Sequence, residues 1–118
     1  MSRVKLLNKI DIRPQLATST CWKGYVPESL EHPARNHPYF VRALLELYSK
    51  PGDWIFDPMC GIGTMLTEAV RMKRWPAGCD VSERCTTLTS QNTQNIGRLV
   101  TGDAALFFKK NKIKPNLV

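Results

Sequence analysis

The 118-residue sequence predicts an α/β fold with a doubly wound parallel sheet, on the strength of three observations. Short apolar segments alternate with segments whose apolar residues recur at helical spacing. Two glycines, Gly61 and Gly63, separate the first expected strand from the helix that follows it. An aspartate ends or closely follows each of three successive expected strands, namely Asp57, Asp80 and Asp103.

Local signals set the expected bounds of each element. Pro38 stops any helix upstream of the first helical pattern, and Ser82 is a favourable N-cap for the third helix. A KPGD turn separates the first helix from the first strand. The expected helices cover residues 39–49, 64–73, 82–92 and 104–110; the expected strands cover residues 54–56, 76–81 and 97–101, and a fourth strand begins at residues 117–118.

The spacing of prolines divides the chain into two parts. Pro14, Pro27, Pro33 and Pro38 interrupt any long element near the start, so residues 1–38 are expected to form an irregular N-terminal arm. Residues 39–118 then form a partial domain that holds the whole strand and helix pattern.

Composition narrows the class of protein. The longest apolar runs are only a few residues long and the start lacks a signal-peptide pattern, so the expected location is the cytoplasm. Four cysteines without a CxxC pair and only two histidines predict no metal site. The net charge of +7 favours contact with a polyanion, most plausibly nucleic acid.

The three acids and two glycines together predict a nucleotide-like ligand. In a parallel sheet of this kind, ligands bind at the carboxyl ends of the strands. Asp57 is placed to accept from an amine, Asp80 from both hydroxyls of a ribose, and Asp103 from an adenine amino group. Each piece alone has a structural explanation, because GxG is common in turns and either later aspartate can cap a helix.

The type of nucleotide follows from what surrounds the glycines. A dinucleotide fingerprint requires a third glycine, and Thr64-Met65-Leu66 follows Gly63 instead. An Asp-Pro pair before the glycines repels a pyrophosphate but suits a ligand with a cationic amine. These features favour S-adenosylmethionine and make a dehydrogenase a distant alternative.

Three stretches of the chain resemble a known family. The segments FDPMCGIGTMLTEA and AGCDVSERC, with HPARNHPYFVRALLELYSKPGDWIFDP upstream, resemble the N4-cytosine/N6-adenine DNA methylases over roughly residues 30–104. The resemblance implies a Rossmann-like sheet of the class I methyltransferase type, S-adenosylmethionine as cofactor and DNA as partner. It also implies methyl transfer to the exocyclic amine of cytosine or adenine, for either restriction-linked or regulatory methylation.

The resemblance assigns cofactor-binding roles to matching positions and no catalytic role to any residue of this chain. His32, Pro33, Ala34 and Arg35 match the upstream HPA(R/P) segment of the family, which helps to hold the methionine end of the cofactor. The residues implied to bind the cofactor are Asp57, Pro58, Cys60, Gly61, Gly63, Thr64, Asp80, Val81, Asp103, Ala104, His32 and Arg35.

One family motif is missing. The catalytic (D/N/S)PP(Y/F) tetrapeptide, which follows the fourth strand in the family, does not occur in this sequence, and KPNLV stands where that strand begins. We therefore expect the chain to be inactive alone, with its sheet completed by a second polypeptide or by self-association. Since the fourth strand pairs beside the first, Trp54–Phe56 is expected to be an exposed apolar edge.

Two alternatives stay open. The DPMCGIGT stretch also resembles tRNA guanine-N2 methyltransferases, although those carry an RNA-binding region upstream of it. A non-catalytic remnant or partner subunit is the other alternative, and the missing tetrapeptide favours it.

Overall fold

A computed structural model describes residues 22–32 and 35–118 of the chain. Its elements follow the expected order of alternating helices and strands, and each predicted bound lies within two residues of the observed one. The elements are a 3₁₀ helix Pro27–Glu31, α1 Pro38–Tyr48, β1 Trp54–Asp57, α2 Thr64–Arg71, β2 Trp75–Asp80, α3 Glu83–Asn92, β3 Arg98–Thr101 and α4 Ala104–Lys110.

The three strands form one parallel sheet in the order β1-β2-β3. After β3 the chain returns to the free side of β1, where Leu117 forms a parallel bridge with Ile55. The spatial order is therefore β3-β2-β1-Leu117, and the direction of strand addition reverses beside β1. In open α/β sheets, a ligand binds at such a switch point. The predicted fold class and the start of a fourth strand at Leu117 are both confirmed.

Helices cover both faces of the sheet. Successive residues of β1 point to opposite faces, so Ile55 joins Leu45 of α1 and Ala69 of α2 in one core cluster. Phe56 joins Phe107 of α4 in the other cluster. This arrangement is what a doubly wound sheet requires, because each face buries its apolar residues under a different helix layer.

The outer edge of β1 is covered, so the prediction of an exposed apolar edge is wrong. The backbone N–H of Phe56 donates to the carbonyl of Leu117 over 2.7 Å, and that of Asn116 donates to Trp54 over 2.8 Å. Ile55 and Phe56 are only 1% and 4% exposed. The few residues after α4 are enough to pair with β1, a contact that strand periodicity alone does not reveal.

The described part of the N-terminal arm contacts the domain. The Tyr25 hydroxyl donates to the fully buried carboxylate of Glu68 on α2 over 2.8 Å. The same carboxylate pairs with Arg42 of α1 and Arg71 of α2. Burial and the Glu68 charge raise the pKa of Tyr25, so the phenol stays protonated. The division of the chain at residue 38 stays a prediction, and residues 1–21, 33 and 34 lie outside the described ranges.

No helix in the described ranges is long and apolar enough to cross a membrane.

The C-terminus of α1 is closed by a buried arginine. The Arg74 guanidinium donates to the carbonyls of Leu45 and Ser49 over 3.3 and 3.0 Å, and its Nε donates to the Ser49 hydroxyl over 3.0 Å. The last carbonyls of a helix have no partner within the helix, and Arg74 supplies a donor to the Ser49 carbonyl. The Leu45 carbonyl also accepts from the Ser49 N–H over 3.0 Å, so Arg74 adds a further bond there.

Arg74→Met is therefore expected to lower the free energy of unfolding by about 2–3 kcal/mol, since it removes a buried cation that donates to the half-buried Ser49 carbonyl and to the buried Leu45 carbonyl. The measurement is urea unfolding followed by circular dichroism. Its matched control is Lys73→Met at the exposed neighbouring position, which should unfold like the wild type. Equal midpoints for the two variants would contradict the capping role.

Candidate cofactor-binding site

The loop between β1 and α2, residues 58–63, is referred to here as the glycine loop. Gly61 and Gly63 both adopt left-handed backbone conformations, with φ of +55° and +84°. A Cβ placed on Gly61 meets no atom within 4 Å, whereas a Cβ on Gly63 lies 2.6 Å from Cγ2 of Thr89. Gly61 thus faces open space, and Gly63 is pressed against α3.

Asp80 joins the loops that follow all three strands. Its Oδ2 accepts from the N–H of Gly61 over 3.0 Å, and its Oδ1 accepts from the N–H of Ser82 over 2.9 Å. Its backbone carbonyl accepts from Gly102 over 2.8 Å. A carboxylate oxygen can accept more than one hydrogen bond, so both oxygens retain capacity for the two hydroxyls of a ribose.

A cleft of about 330 Å³ opens beside Asp80 at the carboxyl edge of the sheet. Val81 and Met59 are each 80% exposed although both are apolar. A flat apolar ligand such as a purine gains free energy by covering such side chains. The residues that line the cleft are Pro58, Met59, Asp80, Val81, Gly102, Asp103 and Ala104.

The cleft brings together five of the residues assigned from the sequence and adds two. Met59 and Gly102 are the additions; both belong to the segments quoted for the motifs, Met59 inside DPMCG and Gly102 inside TGDA. Because both residues are neighbours in sequence of assigned residues, they could have been predicted from the same motifs.

Asp57 lies at the end of β1 and accepts from the N–H of Met59 over 3.1 Å. Burial raises the pKa of its carboxyl, and the Asp80 charge raises it further, while the Met59 N–H opposes the shift. The ionised form is therefore less favourable in the protein alone than it is for an aspartate in water. A cationic amine nearby would favour the ionised form, as expected for the residue that receives the amine of the ligand.

Asp103 caps a helix and also lies at the cleft; its contact with adenine stays a prediction. Its Oδ1 accepts from the N–H of Leu106 over 2.8 Å, which caps α4. It also lines the cleft. The cap uses one carboxylate oxygen, and the second retains acceptor capacity for an adenine amino group.

The side chains of Cys60 and Thr64 lie beneath the glycine loop. Cys60 is buried with its Sγ 3.5 Å from the Thr89 hydroxyl, and burial raises the pKa of its thiol to about 12. The thiol is therefore neutral and is no nucleophile. Thr64 is also buried. Any contact of these two residues with a ligand is expected through their backbone.

The upstream assignments lie apart from this cleft. His32 lines a neighbouring cavity with Ser82 and Arg84. The Arg35 guanidinium donates to the Leu30 carbonyl and lies 5.2 Å from the ring centre of Trp22, so it is occupied by local partners. Contacts of His32 and Arg35 with the cofactor stay predictions, and Pro33 and Ala34 lie outside the described residues.

Metal-binding side chains do not cluster in the described ranges, where no group of three or more His, Cys, Asp or Glu residues is suited to hold an ion.

The sheet order, the glycine loop and the acidic cleft define the class I methyltransferase fold. A sequence profile described as DNA methylase matches residues 8–91. Because the match covers well over half of the chain, the chain belongs to this DNA methylase family. No curated protein matches the sequence.

Three solved structures are similar to this chain, and the two with TM-scores above 0.5 show the same fold. YjhP from E. coli is 28% identical with a TM-score of 0.52, and the match covers 70% of this chain and 37% of YjhP. A putative rRNA-methylase from Clostridium thermocellum is 15% identical with a TM-score of 0.54, over 71% and 50% of the two chains. A TehB-like SAM-dependent methyltransferase from Corynebacterium glutamicum is 22% identical with a TM-score of 0.49, over 53% and 34%. The chain spans half or less of the length of these proteins.

S-adenosylmethionine is the cofactor of this methyltransferase family, and the residues present fit it. Asp80 offers acceptors for a ribose, the exposed Val81 offers a surface for adenine, and Asp57 offers a carboxylate that a cation would stabilise.

Alanine at the two glycines is expected to separate binding from stability. Gly63→Ala combines a left-handed backbone with a collision against Thr89, so it should lower the melting temperature strongly. Gly61→Ala pays only the backbone cost of about 1–2 kcal/mol, yet its methyl group enters the space that a ligand approaches. Thermal melts measure the stability of both variants, and calorimetric titration measures their affinity for S-adenosylmethionine. If Gly63→Ala lost more affinity than Gly61→Ala for the same fall in melting temperature, the separation of the two roles would be contradicted.

Asp57→Asn is expected to raise the melting temperature at neutral pH and to weaken binding of S-adenosylmethionine. The raised pKa means that folding disfavours the ionised carboxylate, so the wild type loses stability as pH rises through that pKa, and the variant does not. The difference in melting temperature between Asp57→Asn and the wild type should therefore increase with rising pH and disappear in acid. Melts from pH 4 to pH 8 measure it, and a less stable variant at pH 8 would contradict the account.

Proposed function

We propose that this chain is the S-adenosylmethionine-binding portion of a site-specific DNA methyltransferase that acts on the exocyclic amine of cytosine (N4) or adenine (N6). The observation that carries the proposal is the bonding of Asp80 to the loops after all three strands, next to an acidic and apolar cleft. The DNA methylase profile over residues 8–91 supports the choice of substrate.

In this proposal each residue holds one part of the cofactor. Asp80 accepts from the ribose hydroxyls, Val81 packs against the adenine, and Asp103 accepts from the adenine amino group. Asp57 receives the cationic amine of the methionine end. When bound, S-adenosylmethionine would supply an activated methyl group for direct displacement at the methyl carbon, with the thioether S-adenosylhomocysteine as the leaving group. The protein contributes by holding donor and acceptor in line and by excluding other geometries.

Charge supports a nucleic acid as the second substrate. The net charge of the chain is +7. The end of α4 and the segment after it expose four lysines, a pattern suited to phosphate contacts. These are Lys109, Lys110, Lys112 and Lys114.

We further propose that the 118 residues do not transfer methyl groups on their own. They contain no (D/N/S)PP(Y/F) tetrapeptide to hold the target amine and stack on a base flipped out of the duplex. Asn116 and Leu117 already pair with β1, in the position from which the fourth strand of the family leads to that motif. Residues that continue this strand, in the same or in a second polypeptide, would complete both the sheet and the catalytic site.

Two other functions are alternatives to this one. The DPMCGIGT stretch, shared in pattern with tRNA guanine-N2 methyltransferases, favours an RNA substrate. The missing tetrapeptide favours a subunit that binds cofactor and nucleic acid without transferring anything.

The discriminating experiment compares unmethylated duplex DNA with bulk tRNA. The chain should bind S-adenosylmethionine, bind the duplex more tightly than tRNA, and move no labelled methyl group to either. Lys109→Glu with Lys110→Glu should reduce the dependence of log affinity for DNA on log salt by roughly 2, since each phosphate contact contributes about 0.9. The salt slope is measured by fluorescence anisotropy between 50 and 200 mM salt.

Lys50→Glu with Lys73→Glu, at exposed positions outside α4, serves as the control, because it lowers the net charge by the same amount as the α4 pair. Tighter binding of tRNA, or labelled methyl groups in tRNA, would contradict the DNA assignment. Labelled methyl groups in DNA would uphold that assignment and contradict the insufficiency of the chain.

A further inference from the structure

Two polar side chains of α3 are buried directly under the glycine loop. The Thr89 hydroxyl donates to the carbonyl of Gly61 over 2.8 Å, and Nδ2 of Asn92 donates to the carbonyl of Ile62 over 2.9 Å. Thr89 is 1% exposed and Asn92 is 7% exposed. Buried polar groups are costly unless they are bonded, and here their partners are the loop carbonyls.

These bonds fix which way the loop directs its N–H groups. In a trans peptide, the C=O and the next N–H point in opposite directions. Because the Gly61 carbonyl points to Thr89 of α3, the N–H of Ile62 points away from α3. Two further loop carbonyls are held as well, since Cys60 accepts from Gly63 over 2.8 Å and Gly63 accepts from Thr67 over 2.7 Å.

The loop therefore presents the Ile62 N–H on the side away from α3, next to the first N–H groups of α2, while its other N–H groups are bonded within the protein. Gly63, the N-cap of α2, has no side chain to satisfy the first N–H groups of the helix. Such donors match the carboxylate at the amino-acid end of S-adenosylmethionine, and the partial positive charge of the helix N-terminus adds to the match.

We propose that Thr89 and Asn92 are positioning residues, which orient the glycine loop toward the carboxylate of the cofactor without touching the cofactor themselves. This inference rests on the proposed function. It gives α3 a role that none of the family motifs marks, because both residues lie in the ordinary-looking helical stretch after the second strand.

Thr89 is the better residue to change. Asn92 also accepts from the N–H of Val26 over 2.7 Å and donates to the Ser29 hydroxyl over 2.8 Å, so its loss would loosen the N-terminal arm as well. Thr89→Val keeps the shape of the side chain and removes only the donor. Thr86→Val is a matched control on the same helix, because the buried Thr86 hydroxyl bonds to Thr101 and Glu83 and not to the loop.

The test uses two ligands that differ in the amino-acid end. S-adenosylhomocysteine has the carboxylate, and methylthioadenosine lacks it. Thr89→Val should weaken binding of S-adenosylhomocysteine about tenfold and leave binding of methylthioadenosine unchanged. Thr86→Val should leave both unchanged, and Thr89→Ser, which restores the hydroxyl, should recover the wild-type affinity. Calorimetric titration well below each melting temperature measures these values.

Equal losses for both ligands in Thr89→Val, or no loss for either, would overturn the positioning role while leaving the cofactor assignment in place. Failure of the folded wild type to bind either ligand would instead overturn the proposed function, and this inference with it. Amide hydrogen exchange in the wild type provides a test that needs no variant. S-adenosylhomocysteine should slow exchange at Ile62 while methylthioadenosine does not, and equal protection by both ligands would overturn the role.

Discussion

The site depends on the hydrogen bonds of Asp80. Parallel pairing of β1, β2 and β3 brings their carboxyl ends to one edge, with Asp57 opposite Gly78 and Asp80 opposite Thr101. Pairing alone leaves the loops beyond that edge unconstrained. The side chain of Asp80 holds the glycine loop and its own turn, and its carbonyl holds the third loop. One residue thus connects the three loops that shape the cleft and supplies two of its acceptor atoms.

The glycine loop is fixed from two opposite sides. Asp80 accepts a hydrogen bond from the N–H of Gly61, and side chains of α3 donate to the carbonyls of Gly61 and Ile62. Close packing of Gly63 against Thr89 leaves the loop little room to change its backbone. A preformed loop gives up less conformational entropy when a ligand binds, which favours affinity. The same bonds connect the loop to the N-terminal arm through Asn92, so the arm and the site share one polar network.

Much of this arrangement could be predicted from the sequence, because periodicity, glycines and strand-end acids are local signals. The element order and the grouping of Pro58, Asp80, Val81, Asp103 and Ala104 around one cleft follow from them. The direction of a side chain is set by tertiary packing. Local sequence signals therefore could not predict the inward orientation of Cys60 or the contact of Arg35 with Trp22. The β1 edge is covered because Ile55 pairs with Leu117, which lies about sixty residues further along the chain, and local signals do not reveal such a distant pairing.

The most direct test of the central claim is calorimetric titration of S-adenosylmethionine into the wild-type chain and into Asp80→Ala, with thermal melts to confirm that both are folded. The account predicts saturable binding by the wild type and a loss of at least about tenfold in affinity for the variant, since it removes a charged acceptor. Equal affinities, or no binding by a cooperatively folded wild type, would contradict it.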